Sequence, residues 1–205
     1  MQQRLAQDEP HWPLHGKRIL VVEDHAHTAA LVRQALLAAG AIEVVVAGDG
    51  AQALAQLGQL RPDVLVTDMI MPVTGGLELI KVVRQAALVP NPEVPDPTIP
   101  IVLVSAFGSR QAVRLAQAAG IDTFVIKPFS LGSLVRRVDR AAHRVVDFIV
   151  EQAYVGPDRR TVAGRGVRRR TDAPDDGAAP SASQLKALYA RIREMEDERV
   201  AEGAG

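Results

Sequence analysis

Short apolar runs alternate with longer amphipathic segments along most of the chain from Lys17 onwards. Runs rich in Val, Ile and Leu predict β-strands, which lie at residues 17–22, 42–47, 63–67, 100–104 and 122–126. Between them, apolar residues recur at helical spacing. Strands that are apolar throughout are buried on both faces, and helical crossovers join parallel strands. The pattern therefore predicts an α/β fold with a doubly wound, five-stranded parallel sheet.

A proline-rich segment interrupts this pattern before the fourth strand. Residues 88–98 contain four prolines, which is too many for a helix or a central strand. We predict a surface loop there, and it is either a tolerated insertion or a docking loop for a partner.

Apolar spacing after Ser130 predicts a long last helix that continues to about Ala153, so that residues 146–155 extend it beyond the domain. At about 1.5 Å per residue this helix spans about 35 Å, more than a five-stranded domain can cover. Its protruding stripe predicts a dimer or partner surface made of Leu134, Val138, Val145, Phe148 and Ile149. The alternative is a helix that ends near Arg144, after which the chain folds back.

The two ends of the chain differ from this middle part. Residues 1–15 are polar and predict a flexible arm, which leaves residues 16–145 as the main domain. Residues 156–180 are rich in Gly, Pro, Arg and Asp and predict a linker. Residues 181–202 predict an amphipathic helix, which should dock on something because an isolated helix of this length is marginal in water.

Composition narrows the class of protein. The chain has 24 Lys and Arg against 24 Asp and Glu, so its overall charge attracts neither nucleic acid nor a membrane surface. It has no cysteine, which excludes a disulfide framework and thiolate metal sites. No apolar run approaches the roughly 20 residues of a membrane span, and the N-terminus lacks a signal-peptide pattern. We therefore predict a cytoplasmic protein that does not bind membranes.

Acidic side chains directly follow two of the predicted strands. Glu23 and Asp24 come after the first strand, and Asp68 comes after the third. Because the carboxyl ends of parallel strands share one edge of a sheet, these carboxylates are expected to meet. Crowded carboxylates repel unless a cation compensates, and oxygen ligands suit Mg²⁺. With Ser105 after the fourth strand and Lys127 after the fifth, the set is suited to handling a phosphoryl group.

Five short motifs occur in order at the predicted strand ends: Glu23-Asp24, Asp68 followed by Met71-Pro72, Gly75-Gly76, Ser105-Ala106 and Lys127-Pro128-Phe129. Together they make residues 16 to about 145 resemble a response-regulator receiver domain of two-component signalling. The chain is similar to regulators with a single receiver and a C-terminal tail that does not bind DNA. The resemblance implies a flavodoxin-like sheet with strand order 2-1-3-4-5.

The resemblance also implies roles for the residues at this edge. Asp68 would be the phosphoacceptor that attacks the phosphoryl group of a sensor histidine kinase or phosphotransfer protein. Glu23, Asp24, Asp68 and the backbone carbonyl of Ile70 would hold Mg²⁺. Lys127 would contact the phosphoryl oxygens, and its peptide bond to Pro128 would be cis. Beyond its own phosphotransfer and dephosphorylation, such a protein is not an enzyme.

Switching is implied to depend on Ser105 and Phe124. Ser105 would move to contact the new phosphoryl group, and Phe124 would rotate into the vacated space. An ordinary core position is the alternative for Phe124. Ile70 and Phe107 are apolar where many relatives have polar residues that help admit water, so we predict slow hydrolysis of the acyl phosphate.

The sequence after the domain bears on the partners. We expect output through a homodimer or a downstream protein target, because no second globular domain is predicted. Segment 158–170 has six arginines and one aspartate, a net charge of +5, which keeps a nucleic-acid-binding regulator as the alternative function. It lacks interleaved aromatic residues, so pairing of the arginines with carboxylates of a partner or second subunit is preferred.

Two further hypotheses, cyclic-dinucleotide binding and phosphohydrolase activity, have less support. Arg165 and Arg169 match half of a cyclic-dinucleotide-binding motif, without the rest of that signature. An aspartyl phosphohydrolase would carry D-x-D at its nucleophile, whereas this chain has Asp68-Met-Ile. Neither displaces the receiver-domain interpretation.

Overall fold

The computed structural model describes residues 12–159, which form a parallel α/β domain followed by a small hairpin. The strands of the main sheet are β1 (Arg18–Val22), β2 (Glu43–Ala47), β3 (Val64–Asp68), β4 (Ile101–Ser105) and β5 (Thr123–Ile126). The helices are α1 (Ala26–Ala38), α2 (Gly50–Leu60), α3 (Gly76–Gln85), α4 (Arg110–Ala118) and α5 (Leu131–His143). The hairpin consists of β6 (Phe148–Glu151) and β7 (Tyr154–Pro157).

The main sheet has the strand order β2-β1-β3-β4-β5, with all neighbouring strands parallel. This confirms the predicted flavodoxin-like doubly wound sheet. The register places Val22 beside Thr67 and Asp68 beside Val104. The segments that follow β1, β3, β4 and β5 therefore meet at one edge, where the strand order reverses.

Helices cover both faces of the sheet. α1 packs against α5, and α2 packs against α3. Ile19, Leu65 and Ile101, one from each of the three central strands, are fully buried. Burial on both faces explains why these strands are apolar throughout instead of alternating. None of the helices between residues 12 and 159 has the length and apolar content that a membrane span needs.

The last helix of the domain is shorter than predicted. α5 ends at His143, and Arg144 already has an extended backbone with φ −77° and ψ 117°. The chain then turns into the antiparallel hairpin β6–β7. The predicted helical extension over residues 146–155 was therefore wrong, and the fold-back alternative is correct. The local reason is that four of the six residues from Val145 to Val150 are β-branched, and such residues favour strands.

The apolar stripe predicted on this helix does not exist as one surface. Leu134 and Val138 are fully buried in the domain core. Val145 is 99% exposed but lies beyond the helix, and Phe148 and Ile149 are half-buried in β6. The prediction of a continuous dimer surface was wrong because the inward-facing spacing of α5 was extended through residues that form a strand.

The N-terminal arm was also predicted too long. Leu14 is fully buried, and its N–H donates to the carbonyl of Ala39 at 3.0 Å. Gly40 has a φ of +101°, and a Cβ added there would lie 2.5 Å from Cβ of Trp12. Residues 12–15 thus pack on the end of α1 because Leu14 is apolar enough to complete the core. Residues 1–11 of the predicted arm lie outside the described residues.

The predicted linker begins inside the hairpin, since Gly156 and Pro157 belong to β7 and are buried. Most of it, from residue 160 to 180, and the predicted helix at 181–202 lie outside the described residues.

The proline-rich segment is a surface loop without helix or strand, as predicted. Side chains of Asn91 and Asp96 shape it by accepting hydrogen bonds from the N–H groups of Glu93 (3.0 Å) and Thr98 (2.8 Å). Val94 is buried, so the loop is attached to the domain by an apolar contact.

Candidate functional site

The structure brings Glu23, Asp68 and Lys127 together at the carboxyl edge of the sheet. β3 ends in Asp68, while Glu23 follows β1 and Lys127 follows β5. The Lys127 ammonium lies 2.5 Å from Oδ2 of Asp68 and 3.0 Å from Oε2 of Glu23. Asp68 is 12% exposed and Lys127 is 27% exposed, so the cluster is partly shielded and still accessible to a small group.

Burial and crowding change the acidity of the cluster. Burial raises the pKa of Glu23, the negative charge of Asp68 raises it further, and Lys127 offsets part of this effect. Burial on its own would lower the pKa of Lys127, but the charges of Asp68 and Glu23 outweigh it, so the pKa is raised. Lys127 is therefore a permanent cation at neutral pH, whereas ionised Glu23 is less stable in the folded protein than in water.

Further oxygen ligands lie next to Glu23. Potential ligand atoms of Glu23, Asp24 and His25 lie within 4.8 Å of one another. The backbone N–H of His25 donates to Oε1 of Glu23 at 3.3 Å, and Asp24 is exposed. Carboxylate oxygens around an already crowded position fit a hard divalent cation such as Mg²⁺, which retains part of its water shell. The donor set therefore fits Mg²⁺ at Glu23 and Asp24, two of the predicted ligands, whereas the carboxylate of Asp68 contacts Lys127 and is not part of this group.

The loop after β3 folds back onto Asp68. The N–H of Gly76 donates to the carbonyl of Met69 at 3.1 Å, and the N–H of Ile70 donates to Oδ1 of Asp68 at 3.3 Å. A Cβ at Gly76 would lie 1.9 Å from the backbone oxygen of Asp68, so no larger residue fits. The sequence places Gly76 in a motif but does not reveal this close approach, which depends on how the loop folds back. The close approach fixes the backbone that aims the Asp68 side chain.

Ser105 lies at the end of β4, and neither hydrogen-bond partner of its hydroxyl is a carboxylate of the cluster. Its side chain is fully buried, and its hydroxyl donates to the sulfur of Met69 at 3.2 Å. The same oxygen accepts the N–H of Phe107 at 3.0 Å. The contact between Ser105 and Met69 was missed, because no sequence motif marks a buried methionine as a hydrogen-bond acceptor.

Phe124 lies in β5 beside Leu103 of β4 and is half-buried. The peptide bond between Lys127 and Pro128 is cis, as predicted. Lys127 also donates its backbone N–H to the carbonyl of Ser105 at 2.7 Å. The end of β4 and the lysine that contacts Asp68 are thus directly connected.

The fold and this edge cluster match one class of protein. The family model of the response regulator receiver domain covers residues 19–139, more than half of the chain. The chain therefore belongs to the response regulator receiver family of two-component signalling.

Known relatives agree with this assignment. The DNA-binding response regulator MtrA of Mycolicibacterium smegmatis is 32% identical over 154 residues, which cover 75% of this chain and 63% of MtrA. The transcriptional regulatory protein PrrA of Mycobacterium tuberculosis is 32% identical over 154 residues, covering 74% of this chain and 62% of PrrA. This chain thus spans slightly less than two thirds of the length of these relatives.

Solved structures show the same domain. The receiver domain of the Francisella response regulator 1452 has a TM-score of 0.55 and 27% identity, covering 62% of this chain and 97% of that one. The chemotaxis protein CheY4 of Vibrio cholerae has a TM-score of 0.55 and 29% identity, covering 62% and 98%. Nearly all of each receiver domain is therefore represented in this chain.

Proposed function

We propose that this protein accepts a phosphoryl group on Asp68 from a histidine kinase or phosphotransfer protein and signals through the change that follows. The observation that carries the proposal is the Lys127 ammonium held between Asp68 and Glu23, at 2.5 and 3.0 Å, on the switch-point edge of the sheet. A carboxylate in such a partly shielded, cation-supported position can act as a nucleophile toward an incoming phosphoryl group.

In the proposed transfer, an Oδ atom of Asp68 bonds to phosphorus while the phosphorus–nitrogen bond of a phosphohistidine breaks and the histidine nitrogen leaves. The Lys127 ammonium is already within hydrogen-bond distance of Asp68 and neutralises charge on the phosphoryl oxygens. Mg²⁺ bound by Glu23, Asp24, Asp68 and the carbonyl of Ile70 would supply further neutralisation of oxygen charge.

The acyl phosphate is proposed to hydrolyse slowly. Ile70 and Phe107 lie two positions beyond Asp68 and Ser105, and both are apolar and half-buried. Neither offers a hydrogen bond that would orient an attacking water. Apolar side chains beside the phosphoryl group therefore favour a long-lived signal.

The output is proposed to be a protein contact, made either by a second copy of the chain or by a downstream target. When Ser105 moves toward the phosphoryl group and Phe124 rotates, the surface around β4 and β5 changes. Support for this coupling comes from the hydrogen bond between the backbone of Lys127 and Ser105, because it ties the two strand ends together at 2.7 Å.

Nucleic-acid binding is a second candidate output. MtrA, a relative that is 32% identical, is a DNA-binding regulator, and segment 158–170 of this chain has a net charge of +5. Contacts to phosphates weaken steeply as salt rises. Fluorescence anisotropy with duplex and single-stranded oligonucleotides over a salt series tests this candidate, and binding that is absent or insensitive to salt eliminates it.

The phosphoacceptor proposal is tested by intact-protein mass spectrometry after incubation with acetyl phosphate and Mg²⁺. We expect one phosphoryl group on the wild-type protein and on the control variant Asp139→Asn, whose carboxylate is 37% exposed on α5. The variant Asp68→Asn should remain unmodified. Equal modification of Asp68→Asn would refute the assignment.

A further inference from the structure

The hydroxyl of Ser105 is held by a residue that has no assigned role. This hydroxyl donates to the sulfur of Met69, with 3.2 Å between oxygen and sulfur, and the same oxygen accepts the N–H of Phe107 at 3.0 Å. Both Ser105 and Met69 are 0% exposed, so water cannot replace either bond. The hydroxyl thus has both a donor and an acceptor contact, and neither is made with a carboxylate of the cluster.

Met69 is itself firmly placed. Its N–H donates to the carbonyl of Val104 at 2.8 Å, and its carbonyl accepts the N–H of Gly76 at 3.1 Å. These bonds tie the residue to β4 on one side and to the start of α3 on the other. Its sulfur is therefore a fixed point toward which the serine hydroxyl turns.

We infer that Met69 is a positioning residue whose sulfur holds the Ser105 hydroxyl away from Asp68 until the phosphoryl group arrives. This inference rests on the proposed function, since it concerns how Ser105 reaches a phosphoryl group on Asp68. A thioether is a weak acceptor, and a charged phosphoryl oxygen is a strong one. The bond to Met69 is therefore strong enough to favour the resting position and weak enough to be given up on phosphorylation.

Removing the sulfur leaves the resting hydroxyl without an acceptor in a buried position. The resting state then loses stability, while the state with Ser105 on the phosphoryl group is unaffected. Since a net hydrogen bond is modest, a phosphoryl mimic should bind roughly two- to tenfold more tightly to Met69→Leu than to the wild type. Leucine has nearly the volume of methionine, so repacking of the core is kept small.

The experiment is a double-mutant cycle on the full chain. Wild type, Met69→Leu, Ser105→Ala and the double variant are titrated with beryllofluoride in Mg²⁺ by calorimetry. The amide signal of Phe107 in NMR spectra reports the position of the Ser105 oxygen, because that amide donates to it. Met69→Leu should bind the mimic more tightly and shift the Phe107 signal toward its position in the complex. In the Ser105→Ala background the same substitution should leave the affinity unchanged.

Other outcomes decide against the inference. Equal affinity of wild type and Met69→Leu, or an equal gain with and without the serine hydroxyl, shows that the sulfur does not position Ser105. Wild-type protein that fails to bind beryllofluoride refutes the proposed function itself, and the inference falls with it.

A second measurement covers the case in which Met69→Leu does not fold. Biosynthetic norleucine replaces each methionine sulfur by a methylene group and keeps the side-chain shape. The norleucine-substituted wild type should bind beryllofluoride more tightly, and the norleucine-substituted Ser105→Ala protein should not. An equal gain in both would overturn the role of Met69.

Discussion

The guanidinium of Arg84, in the last turn of α3, lies 5.0 Å from the ring centroid of Phe148 in β6. Arg84 is 2% exposed, and burial lowers its pKa to about 10 against the opposing charge of Asp122. It therefore remains charged at neutral pH inside the protein. The ring of Phe148 covers the guanidinium and makes a cation–π contact with it.

Arg84 joins three segments that are distant in sequence. It donates to the carbonyls of Pro97 (2.7 Å) and Ile99 (2.8 Å) in the chain that leads into β4. It also donates to the carbonyl of Gly120 (2.8 Å) and to Oδ2 of Asp122 (3.1 Å) before β5. Through these hydrogen bonds and its contact with Phe148, Arg84 connects the proline-rich loop and the hairpin to the sheet.

Replacing Arg84 should therefore destabilise the domain strongly. Arg84→Met removes the salt-bridge partner of the buried carboxylate of Asp122, which is 8% exposed, and loss of one member of such a pair costs about 3–5 kcal/mol. Urea unfolding followed by circular dichroism measures this change. Arg136→Met on the exposed face of α5 is the control and should stay within about 0.5 kcal/mol of the wild type. A similar small loss for both variants would show that the Arg84 network does not stabilise the domain.

The hairpin also depends on a close approach of two glycines. A Cβ at Gly120, where φ is +95°, would lie 2.4 Å from the carbonyl oxygen of Val155, and a Cβ at Gly156 would lie 2.8 Å from Cα of Gly120. Gly120→Ala should therefore lower the midpoint of thermal unfolding. Gly132→Ala is the matched control, because its added Cβ in α5 meets nothing closer than 3.6 Å. It should raise stability by up to about 1 kcal/mol through helix propensity.

The main sheet could be predicted because each strand carries its own signal. Apolar runs such as Ile101 to Val104 are buried on both faces, and this burial is a property of the run itself. The motifs at the strand ends then placed Glu23, Asp68 and Lys127 at a shared edge by topology alone. For these features, the local sequence pattern alone is sufficient to indicate the structure that forms.

The hairpin and the bond to Met69 could not be predicted in the same way. After Arg144, spacing compatible with a helix competes with β-branched residues, and the outcome depends on Arg84, some 60 residues earlier in the sequence. A periodic pattern cannot reveal such a distant partner. Likewise, the hydroxyl of Ser105 and the sulfur of Met69 meet only because β3 and β4 are neighbours.

The raised pKa of Glu23 predicts that its ionisation lowers the stability of the metal-free protein in a pH-dependent way. Because burial and the charge of Asp68 raise its pKa in the folded state, its contribution to stability is fully present below the ordinary value of 4.5 and is lost as pH rises through the folded pKa. Glu23→Gln should therefore stabilise the metal-free protein at pH 7, with a gain that shrinks as pH falls toward 4.5.

Urea unfolding between pH 4.5 and pH 8 measures this gain, with the exposed Glu43→Gln as control. Added Mg²⁺ should stabilise the wild type more than Glu23→Gln, because a ligand that binds the folded state shifts its equilibrium. A gain that is equal at all pH values would contradict the assignment of the cost to ionised Glu23.

The lifetime of the acyl phosphate tests the role of the apolar side chains around Asp68. Ile70→Asn places an amide where it can orient water, and we expect hydrolysis to accelerate roughly tenfold, which equals about 1.4 kcal/mol of activation free energy. Phosphate release after removal of the donor measures the rate. Val73→Asn is the control, because Val73 lies in the same loop, is 84% exposed, and has a positive φ of 65° that asparagine adopts more readily. Its rate should match the wild type, whereas equal acceleration in both variants would place the effect in the loop backbone and not in the access of water to Asp68.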